Sequence, residues 1–280
     1  MTSSANSLGE SSLLLWALAA AVAVLAAHVF LGWLREAQQR PALRASWLAL
    51  LLAALTFGTG VCAAVALSIS ASPLGFSLGY RLLAVPALWL GAVVATLLPA
   101  WWLMRRQNLW SFMGGGLLLG AGACVVTAGW LTAIGFRPGI YWRLPLVGGA
   151  AGLLVLGSMA ALWVAFGGSE TRRKAALWRI GAAVLLGMSL IGGQELLMAG
   201  AGLQAQVGSV FKDEVPSAVL ALAGGVLAPL VMAVMALDLE MRRNLDKRGG
   251  RSSSGSKGYG GYSSGVPTKR RRRKHRIRPL

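Results

Sequence analysis

Residues Leu185 to Leu203 read LLGMSLIGGQELLMAGAGL, and the reading of this stretch decides the fold. It completes an apolar run long enough to cross hydrocarbon as a helix. Yet it carries Gln194 and Glu195 side by side, among glycines and beside Met188 and Met198. An ionisable group inside a membrane-length segment is costly, so it marks a functional position by default. Two earlier runs carry glycine-rich steps at matching places, Gly58-Thr59-Gly60 and Gly120-Ala121-Gly122.

The chain around this stretch has the composition of a membrane protein. Hydrophobic residues make up 56% and charged residues 13% of its 280 positions, where soluble domains average about 25% charged. A helix crossing the bilayer needs about 20 mainly apolar residues. Seven runs qualify, at 12–34, 46–70, 80–104, 110–135, 143–166, 175–200 and 216–240. Lipid offers unpaired backbone groups no water, so each run is expected to be a helix. The expected fold is all-α, a polytopic membrane protein of seven transmembrane helices. Its parts are a short N-terminal extension (1–11), a membrane domain (12–240) and a disordered cytoplasmic tail (241–280). The first run is long and follows Glu10 rather than a basic region, so it is read as a retained span, not a cleaved signal peptide. Pro86, Pro99 and Pro229 fall inside spans and suggest kinks.

Loop charges set the expected orientation. Arg35, Arg40 and Arg44 follow the first span, Arg105 and Arg106 the third, and Arg172, Arg173 and Lys174 the fifth. The alternate loops are poorer in Lys and Arg. This bias predicts an N-terminus outside and a C-terminus in the cytoplasm. Trp101, Trp102, Trp110, Tyr141 and Trp142 fall at span ends, where interfacial aromatics belong. The second, fourth and sixth spans then run in one direction, and their glycine steps lie at one depth in the outer half. Small residues let helix backbones approach closely in lipid, so these glycines either pack helices or frame a shared site.

At these residues the sequence resembles the MHYT family of bacterial integral-membrane sensor domains. In that family paired spans carry a Met-His-Tyr-Thr-like signature after a Gly-x-Gly step. Gly58 to Val65, Gly120 to Thr127 and Gly187 to Gln194 resemble three copies, with Val65, Thr127 and Gln194 where the family has histidine. The resemblance extends to Ala26-Ala27-His28 and to Asp238 to Arg243 at the exit of the seventh span. It implies a sensor of a diatomic gas or redox state in the bacterial inner membrane, acting through bound metal proposed to be copper. This chain departs from the pattern: all three histidines are absent, and no signalling domain is expected in the segment after the seventh span.

The side chains left at that level are Cys62, Cys124, Met188, Met198, Thr127, Gln194 and Glu195. Cys and Met suit Cu(I), so Cys62, Cys124, Met188 and Met198 are the candidate ligands if copper is kept. A buried Cys more often serves as a small hydrophobe, and loss of the metal is the expectation. Thr127, Gln194 and Glu195 are the candidate ligand-binding residues. Glu195 could bond Thr127, Gln194 or a neighbouring carbonyl, either to join spans or to hold a ligand. Adjacent residues on a helix point about 100° apart, so one of Gln194 and Glu195 should face the bundle and the other a neighbour or the interface. His28 is read as a packing or interfacial residue. No hydrolase, P-loop or zinc-spaced Cys/His signature occurs, and no catalysis is expected.

The net charge of +18 is concentrated at the end of the chain. From Arg242 onward there are fourteen Lys and Arg against one acid, Asp246. A Gly/Ser-rich linker leads to Lys269, Arg270, Arg271, Arg272, Arg273, Lys274, Arg276 and Arg278. Such a block attracts anionic lipid, by about 1 kcal/mol per basic residue near the surface. An acidic protein or nucleic acid is the alternative partner. The reading that follows is a sensor-like or regulatory membrane protein, with the seventh span passing a change in the outer half to this tail. The alternatives are a small proton-coupled transporter using Glu195, or an assembly partner for another membrane protein.

Overall fold

The computed structural model describes residues 2–39, 43–72, 78–105, 108–137, 139–167, 172–202, 208–211 and 214–252. Side chains are described from residue 12 in the first helix, 45 in the second and 177 in the sixth, and up to 242 in the last. The helices are α1 (Thr2–Gln39), α2 (Leu43–Ala71), α3 (Ala84–Arg105), α4 (Leu109–Ala133), α5 (Leu144–Phe166), α6 (Arg172–Gly200), α7 (Ser217–Leu222) and α8 (Ala228–Ser252). A π-helical turn, Ala223–Leu227, joins α7 to α8. Seven membrane-length apolar helices result among the described residues, the seventh running through α7, the π turn and α8 as Ser217–Arg242. The all-α polytopic expectation holds. Each helix forms because its run is apolar on every side and can satisfy its backbone only internally.

Two compact units divide the chain, residues 1–239 and residues 240–280. Within the first, α1 to α6 pack in sequence, and α1 also packs on α6, which closes a six-helix ring. Across its centre α2, α4 and α6 touch one another. The seventh span lies outside the ring against α2 and α1 and is the least buried of the seven.

Glycine spacing explains the ring. Residues i and i+2 on a helix point about 200° apart, so a Gly-x-Gly step opens two opposite flanks. A Cβ on Gly58 would stand 2.9 Å from the backbone nitrogen of Val93 in α3, and one on Gly60 would strike Ala26 in α1. On α4, Gly120 would meet Val155 Cα of α5 at 2.5 Å and Gly122 the Ala95 side chain of α3 at 2.9 Å. On α6, Gly187 meets Val24 Cα of α1 at 2.7 Å, and Gly193 meets Leu154 of α5. Each inner helix thus touches both ring neighbours through glycine. Seven residues after the first glycine of each set come Val65, Thr127 and Gln194, all buried.

At one end the three loops leaving α2, α4 and α6 are stitched together. β1 (Gly79–Tyr80) pairs antiparallel with β4 (Val215–Pro216), and β2 (Phe136–Arg137) with β3 (Gly208–Ser209). The Ser209 hydroxyl lies 2.7 Å from Ile134 O and 3.2 Å from Gly79 O, bridging two ribbons. Gly135, at φ +63°, makes a turn that a Cβ would drive into the Phe211 ring. Tyr80 is fully buried in this cap, edge-on to Trp130 at 5.3 Å, and burial raises its phenol pKa so that it stays neutral. Sequence reading missed the cap.

Two further expectations need correction. Pro86 does not interrupt a span: α3 begins at Ala84, so Pro86 sits in the first turn, whose N–H groups lack helical partners anyway. Pro99 is within α3. Pro229 follows the π turn, and having no N–H it could not close a regular α-turn onto residue 225. Residues 241–252, assigned to the tail, are the helical end of α8. The Asp238-to-Arg242 spacing is one that supports a helix, and extending a formed helix costs little. The Gly/Ser linker from 253 and the basic block Lys269 to Arg278 lie outside the described residues. The span-end aromatics are where expected. Trp110 and Tyr141 are exposed, and Arg105 stacks on Trp101 at 3.8 Å.

Gly120 faces backbone, which cannot yield, whereas Gly149 on α5 faces open space. In detergent unfolding titrations, Gly120→Ala is expected to lose about 1–3 kcal/mol by overpacking. Gly149→Ala is expected to be neutral or to gain up to about 1 kcal/mol from helix propensity.

Candidate functional site

One cluster of polar side chains lies near the capped end of the bundle. Glu195 lies five residues before the end of α6, about 7–8 Å along the axis at 1.5 Å per residue. Its Oε1 accepts from the Ser68 hydroxyl of α2 at 2.7 Å and from the Trp16 indole N–H of α1 at 3.1 Å. Three helices therefore meet on one carboxylate oxygen. Glu195 is half-buried, and its Oε2 takes no hydrogen bond among the described residues. Next to this cluster the Ser72 hydroxyl stands 4.0 Å from the sulfur of buried Met198.

Gln194 turns the other way, into the bundle. It is 1% exposed, and neither its amide oxygen nor its amide nitrogen has a partner among the described residues. A buried, unsatisfied polar group costs about 1–3 kcal/mol. Gln194 has two such atoms at the position where the resemblance places the third histidine. Such an amide can both donate to and accept from a small polar molecule.

The expected partners of Glu195 are corrected by this geometry. Thr127 donates to Ala123 O of its own helix at 2.9 Å, and Glu195 reaches α1 and α2 instead. The reason is the turn of about 100° between neighbours, which sends Glu195 to the flank and Gln194 to the centre. Ser68 and Trp16 were not singled out from sequence. The alternating serines Ser68, Ser70 and Ser72 at the end of α2 were the available signal.

The four sulfur candidates point to different places. Cys62 lines a groove under the seventh span, Cys124 is half-buried on α4, Met188 is 44% exposed and Met198 is buried near Ser72. Both cysteines are free. No group of three His, Cys, Asp or Glu residues gathers among the described residues. Neither cysteine is therefore part of a three-residue site of those types among the described residues. His28 is exposed on α1, beside a shallow groove against Ile180 and Ala183 of α6.

One comparison adds to this geometry. Over 121 residues the chain is 31% identical to the bifunctional diguanylate cyclase/cyclic di-GMP phosphodiesterase MucR of Pseudomonas aeruginosa strain PAO1. The chain is similar to part of a signalling protein. The aligned stretch is 43% of this chain and 17% of MucR's length. Any stretch of that length here includes membrane-spanning helix, because spans recur from residue 12 to 242. No protein-family model matches the chain, and no solved structure does.

Removing the orphaned amide is expected to stabilise the bare bundle. Gln194→Leu should gain about 1–3 kcal/mol in detergent unfolding, while Ser68→Ala should lose about 1 kcal/mol with its hydrogen bond. A destabilised Gln194→Leu protein would show that the amide is bonded in solution.

Proposed function

We propose that this chain is a membrane-embedded sensor module of MHYT type that has lost the histidine metal site. Its N-terminus lies outside and its C-terminus in the cytoplasm of a bacterial inner membrane. The observation that carries this reading is the similarity to MucR across sequence that is membrane-spanning here. Gln194 supports it, since an unbonded amide at the bundle centre is poised to bind rather than to brace. In this account a small polar ligand at Gln194 changes how α6, with Glu195 on its flank, packs on α1 and α2. The seventh span rests on those same helices, and α8 continues unbroken to Ser252. The basic tail then meets anionic lipid or an acidic partner. The protein acts by binding and not by catalysis.

Glu195 also favours a second reading, a proton-coupled transporter, because its second carboxyl oxygen takes no hydrogen bond among the described residues. Substrate-driven proton flux in vesicles, abolished by Glu195→Gln, would establish that alternative.

The sensor reading is tested by metal content and hydrogen exchange together. Wild type purified from copper-supplemented cells should carry well below one equivalent. A Val65→His/Thr127→His/Gln194→His variant should regain copper. Exchange over residues 228–242 should differ between wild type and Gln194→Leu. Stoichiometric copper in wild type would overturn the loss of the metal, and unchanged exchange would overturn the coupling.

A further inference from the structure

The seventh span carries a conformational device that does not depend on the Gln194 reading. Its capped end is fixed to the ring by backbone bonds. β1 pairs with β4, and the Ser217 N–H donates to Leu78 O at 3.0 Å. After the six residues of α7 the helix opens into the π turn, where the Ala228 N–H reaches back five residues to Ala223 O. A π turn takes up one residue more than an α-turn, and such turns recur at functional positions.

Three features bring this turn close to balance between π and α geometry. The first is Pro229, which has no N–H to give. An α-turn would leave the carbonyl of residue 225 without its donor, and a π-turn that of residue 224. The α form therefore gains no bond here, and only in it does the proline ring crowd residue 225. The second is the contact with the ring, which is made by glycine. A Cβ on Gly224 would stand 3.2 Å from Ala63 Cα of α2, and one on Gly225 3.1 Å from the Leu18 side chain of α1. On either flank of that line the span stands off its neighbours, over grooves of about 420 Å³ and about 480 Å³. Turning about this line displaces little packed side chain. The third is that α8 has two apolar faces one residue apart. Ala228, Met232, Met235 and Leu239 form its buried side, while Leu227, Val231 and Val234 are 61%, 46% and 60% exposed.

We propose that the π turn is a swivel: α7 stays fixed to the cap while α8 exchanges its Ala228 face for its Leu227 face as the turn closes to α geometry and reopens. Closing removes the extra residue from the turn, so every later residue advances one place, about 100° around the axis. Leu227, Val231 and Val234 then take the places of Ala228, Met232 and Met235. At the last turn the exchange is of Leu239 for Asp238, so the two forms present different chemistry where the span ends. The device transmits a change at the capped end as a rotation.

The test measures distances between nitroxide labels on the full chain in nanodiscs, with Cys62 and Cys124 replaced by alanine. One label sits at Leu237→Cys and the other at Trp110→Cys or Trp163→Cys, all exposed positions. A point on a helix surface of radius about 5–6 Å moves about 8 Å when turned through 100°. With the native turn, at least one pair should show two distance populations, separated by up to about 8 Å. Pro229→Ala restores the N–H and removes the ring, and should keep only the population of the Leu227 face. Pro229→Ala with Val226 deleted is a regular helix one residue shorter, and should keep only the population of the Ala228 face. A single population in both pairs with the native turn would overturn the proposal. So would two populations that neither variant redistributes, and the native turn decides the matter alone should a variant fold poorly.

Discussion

Helices already in lipid gain nothing by hiding apolar surface from one another, so their association rests on how closely they can pack. In this bundle that constraint falls on a few glycines of α2, α4 and α6. Gly60 lets α2 reach Ala26 of α1, Gly187 lets α6 reach Val24 of the same helix, and Gly120 lets α4 reach the backbone of α5. The ring closes because α1 is held from both sides. The seventh span meets the ring through Gly224 with Ala63, Gly225 with Leu18 and Met232 beside Gly60, and it remains peripheral.

Close packing leaves little room for polar groups, and those present are sorted by position. Thr56, Thr96 and Thr127 spend their hydroxyls on their own helices. Glu195 is tied to Ser68 and Trp16, so its carboxyl group sits near the bundle end rather than at mid-depth. Gln194 is one of the exceptions, buried with both amide atoms unpaired among the described residues. Its helix α6 touches α2, and the seventh span packs on α2.

The spans were legible from sequence because twenty consecutive apolar residues have one stable conformation in lipid. Observed bounds such as Leu144–Phe166 and Leu109–Ala133 fall within a few residues of the reading. The repeated glycine steps were legible as a pattern, and the structure supplies their use in packing. The cap was not legible, since strands of two residues such as Phe136–Arg137 carry no periodicity to detect. Nor were the partners of Glu195: Ser68 and Trp16 lie 127 and 179 residues away in sequence, and only the ring closure joins them. Position along a helix was readable, but the identity of the facing residue depended on which helices are neighbours.

The contact between α2 and α6 across the bundle centre is the most direct test of this arrangement, because ring closure brings those helices together. Ser72 and Met198 lie with Oγ and Sδ 4.0 Å apart. In a background with Cys62 and Cys124 replaced by alanine, Ser72→Cys with Met198→Cys should be bridged in membranes by a short bis-thiol reagent such as dibromobimane. Ser72→Cys paired with Val125→Cys, whose side chain is 72% exposed on α4, should not. Cross-linking of the 72–198 pair alone supports the ring; its absence, or equal cross-linking of both pairs, would contradict it.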